Sequence, residues 1–106
     1  MEPEIAIETF TALAQESRLA IFRLLVREEP NGLAVGEISR RLGIVPSTLS
    51  GHLAVLKRAR LLKSIRQQRE IRYSANLAAI GVLVTYLLED CCEGKVENCR
   101  EVLVPL

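Results

Sequence analysis

The chain has 106 residues, 49% of them apolar, with 14 basic and 13 acidic side chains, which suits one globular domain with a modest core and argues against disorder. No run reaches the roughly 20 apolar residues that cross a bilayer, and the opening MEPEIAIETF carries three glutamates where a secretory leader would be basic. A soluble cytoplasmic protein with no membrane partner is expected, and the single histidine, His52, without a nucleophile or carboxylate motif around it, speaks against an enzyme.

Residues 5–13 form a weakly amphipathic segment, with Ile5, Phe10 and Leu13 apolar among Glu4, Glu8 and Thr9, and predict a short first helix that packs on something else. Ser17 then offers a cap to a second helix, in which Ile21, Phe22, Leu25 and Val26 line the core face while Arg18, Arg23 and Arg27 stay outside. Pro30, Asn31 and Gly32 form a strong turn signal that closes it. Residues 33–42 predict a third helix, with Gly43 as its natural stop.

Residues 44–60, IVPSTLSGHLAVLKRAR, predict a fourth helix that Pro46 can open, because its missing N–H is no loss in the first turn. Leu49, Leu53 and Leu56 share one face at i, i+4 and i+7, leaving Ser47, Thr48, Ser50, Gly51, Ala54 and Lys57 largely on the other. Two short helices joined by a tight glycine-containing turn, the second polar outside, match the helix-turn-helix pattern. An αα-hairpin used only for packing is the alternative for these two helices.

After Arg60 the period changes. Residues 61–66 and 70–74 alternate partially and are linked by Gln67, Gln68 and Arg69, which reads as a two-stranded β-hairpin with a basic tip. A helix-turn-helix followed by such a hairpin is a winged helix. From Lys57 to Arg72 seven basic groups face Glu70 alone, whereas the rest of the chain is net acidic, so a basic surface is concentrated on this half. Ser47, Thr48, Ser50, His52 and Lys57 become candidates for base-edge or phosphate contacts, and Arg66, Gln68 and Arg69 for contacts from the wing to double-stranded DNA. The serines could equally be simple caps and His52 a structural residue.

Asn76 can cap a last helix over residues 77–92 that is apolar nearly all round, and one small domain has little left to cover it. A homodimer interface shared with the first helix is expected, and a two-fold dimer implies a palindromic operator with recognition helices roughly 34 Å apart. The fold class is therefore mainly α (α+β), a winged helix-turn-helix of about five helices and a two-stranded wing, in a homodimer. Residues 1–90 form the DNA-binding and dimerisation domain and residues 91–106 a cysteine-containing tail.

The segments Ser17-Arg18-Leu19-Ala20-Ile21, Gly32-Leu33-Ala34-Val35-Gly36-Glu37-Ile38-Ser39 and Ser47-Thr48-Leu49-Ser50-Gly51-His52-Leu53-Ala54-Val55-Leu56, with a wing ending at Tyr73, resemble the ArsR/SmtB family of metalloregulators. The resemblance covers about residues 8–88, and the Ser-x-His-Leu-x-x-Leu core of the fourth helix is its most specific part. It implies a homodimeric repressor that leaves its operator when a metal or metalloid binds. The arsenic-responsive founders of that family place cysteines at the start of the third helix, where this chain has Ala34-Val35-Gly36-Glu37-Ile38, and its zinc, nickel and cobalt sensors use histidines of the last helix, which has none here. What remains is Cys91, Cys92 and Cys99, resembling the relocated three-cysteine site of some arsenite-responsive members. Three thiolates without histidine suit As(III), or Sb(III), better than zinc, which prefers four N/S ligands. The thiols can come from one chain or from two. Two alternatives stay open: a winged-helix repressor sensing oxidants through these thiols, and a thiol metal buffer that binds no DNA.

Overall fold

Five helices and three strands follow one another in the computed structural model, which describes residues 1–89: α1 (Pro3–Leu13), α2 (Glu16–Arg27), β1 (Leu33–Ala34), α3 (Val35–Leu42), α4 (Pro46–Arg58), β2 (Leu62–Gln67), β3 (Glu70–Ala75) and α5 (Leu77–Leu88). The core is built where the helices turn their aliphatic faces together. Ile21 and Leu25 of α2, Ile38 of α3, and Leu49, Leu53 and Leu56 of α4 are fully buried, and Leu61, Leu62 and Ala75 at the foot of the wing close the cluster. The leucine period of α4 is thus a core-facing stripe, and it fixes which side of that helix can face a partner.

Four local readings need correction. The N-cap of α2 is Gln15, whose side chain accepts from the Arg18 amide at 2.8 Å, rather than Ser17. One turn further on, Leu24 is buried and Val26 exposed, because the α1 side of α2 is covered as well as its sheet side. Arg18 is not a free outer cation: its Nε donates to the Ala12 carbonyl at 2.7 Å, placing a positive charge on the open C-terminal end of α1, where the helix dipole favours it. Asn76 does not cap α5 with its side chain; its Nδ2 donates to the Arg60 carbonyl at 2.8 Å and ties the start of α5 to the α4–β2 turn, where Arg60 has a left-handed φ of 64°.

The sheet is also larger than the expected hairpin. Leu33 and Ala34 leave the helical reading and pair with Tyr73 and Arg72, so a three-stranded antiparallel sheet of order β1-β3-β2 forms behind the wing. Gly32 makes this junction possible. Its φ is +68°, a conformation glycine adopts without steric cost, and a Cβ there would overlap the Tyr73 carbonyl oxygen and come within 2.9 Å of the carbonyl carbon. Gly43 ends α3 as expected, left-handed at φ +65°.

Candidate nucleic-acid interface

The turn between α3 and α4 is short because each end is closed by local chemistry. Ser39 Oγ donates to the Ile44 carbonyl at 2.6 Å, across Gly43, and Pro46 sits at the first position of α4. Glu37 pairs with Arg40 and, at 3.8 Å, with Arg41, which also meets Glu28 of the α2 C-terminus at 3.2 Å. These ion pairs are partly exposed and add little stability. Their consequence is electrostatic: the cations of α3 are already matched by carboxylates.

α4 and the wing are not. Among the described residues, Lys57, Arg58, Lys63, Arg66 and Arg69 form no ion pair, and all five are exposed. Burial of Leu49, Leu53 and Leu56 turns Ser47, Thr48, Ser50, Gly51, Ala54, Lys57 and Arg58 outward, while His52 is half-buried at the edge of that face. Ser47, Thr48 and Ser50 lie in the first turn and a half, where unpaired backbone N–H groups and the helix dipole favour anionic groups. Among the described residues no side chain caps this N-terminus, which leaves the backbone N–H groups of Ser47 and Thr48 open to an external acceptor.

The wing pairs Leu62 with Ala75 through to Gln67 with Glu70, which makes Gln68 and Arg69 a two-residue turn. Gln68 has φ 56°, a left-handed conformation that costs a non-glycine residue about 1 kcal/mol. Gln68 and Arg69 in the turn and Arg66 near the end of β2 are all exposed at this tip, on the same chain segment as the cations at the end of α4. Arg72 belongs to the basic run but not to this group: its guanidinium donates to the carbonyls of Asn31, at 3.4 Å, and Gly32, at 2.9 Å, and so holds the β1 turn. Arg58 was not singled out by the sequence reading. Counting i, i+4, i+7 and i+11 from Ser47 would have placed it on the outermost line of α4.

A second exposed surface is apolar. Ile5, Ile7 and Phe10 of α1 and Leu77, Val82 and Leu87 of α5 each remain between 44% and 64% exposed. Met1, Ile5, Ala78, Ala79 and Val82 line a groove between the two helices. Only Leu83 of α5 is buried, so among the described residues the helix expected to need cover is largely uncovered.

Cys91, Cys92 and Cys99 lie outside the described residues, as does the expected boundary at residue 90. Among the described residues, no three His, Cys, Asp or Glu side chains are placed to hold a metal ion, and no helix is long and apolar enough to cross a membrane.

Residues 13–65 match a family model described as a helix-turn-helix domain. The chain is 36% identical over 101 residues to YbzH of Bacillus subtilis, an HTH-type transcriptional regulator, covering 82% of this chain and 96% of that one. It is 32% identical over 89 residues to the transcriptional activator HlyU of Vibrio cholerae, covering 84% and 80%. To the nodulation protein NolR of Rhizobium meliloti it is 35% identical over 79 residues, 74% of this chain, and spans 62% of the length of that protein. Among solved structures, HlyU of Vibrio cholerae superimposes with a TM-score of 0.66 at 33% identity, covering 84% of this chain and 95% of that one. The homodimeric winged helix-turn-helix domain Mb0332 of Mycobacterium bovis gives 0.64 at 26%, covering 81% and 83%. The antimony-specific transcriptional repressor AntR gives 0.60 at 27%, covering 76% and 72%.

Proposed function

Because this chain belongs to the helix-turn-helix domain family, that of HTH-type transcriptional regulators, we propose that it is a cytoplasmic, homodimeric repressor that binds a palindromic operator and is released by trivalent arsenic or antimony. The observation that carries the DNA-binding part is the exposed surface of α4 and the wing, polar at its start and carrying five cations that have no carboxylate partner among the described residues. α4 lies in the major groove, with Ser47, Thr48, Ser50 and His52 toward base edges and phosphates. Lys57 and the tip residues Arg66, Gln68 and Arg69 engage the flanking backbone.

The apolar faces of α1 and α5 are the dimer contact, a reading supported by the homodimeric state named for the Mycobacterium bovis domain. A two-fold axis through these helices presents both copies of α4 to one side of the duplex.

Cys91, Cys92 and Cys99 follow α5 directly in sequence and provide the inducer site. The reading is supported by the softness and number of the donors and by the likeness to an antimony-specific repressor. Binding an ion at the end of the dimer helix shifts the spacing of the two α4 helices. A 100-fold loss of operator affinity needs only about 2.7 kcal/mol of coupling. A second reading, oxidant sensing through the same thiols, draws on the relative HlyU, one solved form of which is the reduced protein.

A gel-shift titration separates the readings. Under reducing, metal-free conditions the protein retards a specific duplex, arsenite releases it, and Cys99→Ser raises the arsenite needed. Release by peroxide but not by arsenite in excess reductant selects the oxidant reading, and absence of sequence-selective retardation refutes both.

A further inference from the structure

The outward line of α4 runs through Ser47, Gly51, Ala54 and Arg58, which at 100° per residue stand opposite Leu49, Leu53 and Leu56, and all four are exposed. A glycine in the middle of this line is unexpected on internal grounds. It disfavours the helix relative to alanine, and among the described residues a Cβ at Gly51 would meet nothing within 4 Å. Among the described residues no contact excludes a side chain there, and the φ of Gly51, unlike those of Gly32 and Gly43, is not positive. A reason for the missing side chain is then to be found in what this face of α4 contacts.

The size of the groove supplies one. A helix with its side chains is roughly 10–12 Å across, and the major groove of B-DNA is about 12 Å wide, so one outward side chain decides how deeply the helix seats. At Gly51 the backbone itself is the surface, flanked by the short side chains of Ser47 and Ala54. We propose that Gly51 is the depth-setting residue of the DNA interface: it lets the groove floor reach the α4 backbone, which brings Ser47, Thr48 and Ser50 within reach of base edges. This inference rests on the DNA-binding reading above and adds a specificity-determining residue to it.

The test selects duplexes from a randomised pool with the wild-type full chain. Thermal midpoint and affinity are then measured for the wild type, Gly51→Ala and Gly51→Leu, on the selected duplex and on a scrambled one. Gly51→Ala is expected to raise the midpoint by a few degrees and to lower affinity for the selected duplex about tenfold, within the range of a lost base-pair contact. Gly51→Leu lowers it further, and affinity for the scrambled duplex stays within twofold because it depends on the wing and terminal cations. Unchanged affinity for the selected duplex in either folded variant overturns the proposal, as does a lower midpoint for Gly51→Ala, which would mean that the position is not open. Equal losses on both duplexes overturn it too. If the wild type enriches no duplex, the DNA-binding reading itself fails and this inference falls with it.

Discussion

Replacing Gly32 and Gly43 by alanine, one at a time, separates two costs that glycine avoids. Both residues are left-handed, at φ +68° and +65°, so each alanine variant carries the conformational penalty of an L-residue there, about 1 kcal/mol. At Gly43 that is all, because a Cβ there would meet nothing within 4 Å among the described residues. At Gly32 the Cβ overlaps the Tyr73 carbonyl, a backbone group fixed by the Leu33–Tyr73 and Ala34–Arg72 pairings and by the Arg72 guanidinium. Relieving that overlap means displacing β1 from β3, a cost of about 2 kcal/mol or more by analogy with overpacked cores. Gly32→Ala should thus lose about 3 kcal/mol, a large share of the roughly 5–15 kcal/mol that holds a domain together, and Gly43→Ala about 1 kcal/mol. Urea unfolding followed by far-ultraviolet circular dichroism, at one protein concentration because a dimer's stability depends on it, measures both. Losses equal within about 0.5 kcal/mol would refute the argument that β1 is wedged against the Tyr73 carbonyl.

Arg69 and Arg72 are three residues apart and should behave oppositely. Arg69→Ala leaves the unfolding midpoint nearly unchanged and reduces the salt dependence of DNA binding by about one phosphate contact, whereas Arg72→Ala costs about 1 kcal/mol of stability through its two carbonyl partners; the reverse pattern would contradict the geometry. Asn76→Ala removes the link to the Arg60 carbonyl and should lower stability by about 0.5–1 kcal/mol, and Asn76→Asp, which keeps the shape but presents no donor, should not restore it. Val82→Glu, which puts a carboxylate on the exposed apolar face of α5, should shift sedimentation from dimer to monomer and weaken operator binding while the monomer keeps its helical signal. A stable dimer in that variant would place the interface elsewhere.

The winged helix-turn-helix was legible because its signals are local. The leucine spacing of α4, Gly43 at the end of α3, Pro46 at the next helix start and the change of period after Arg60 each act within a few residues. β1 was not legible for the opposite reason: two residues carry no period, and their partners Tyr73 and Arg72 lie about forty positions downstream. The exchange of Leu24 for Val26 in the core has a similar origin, since which flank of α2 is covered depends on how α1 docks. The wing tip and the outward serines were recognised as candidate contacts from composition and period. Separating Arg69, free at the tip, from Arg72, spent on the Gly32 carbonyl, required the fold.

Sequence by itself determined the helices, the wing, the basic segment and the identity of the three thiols, because propensity, periodicity and side-chain chemistry are properties of neighbouring residues. Tertiary structure decided that Arg41 reaches Glu28, that Arg18 and Arg72 hold carbonyls of other elements, and that α1 and α5 leave an apolar face exposed among the described residues. Those are outcomes of how separate elements dock, and no pattern within one element encodes them.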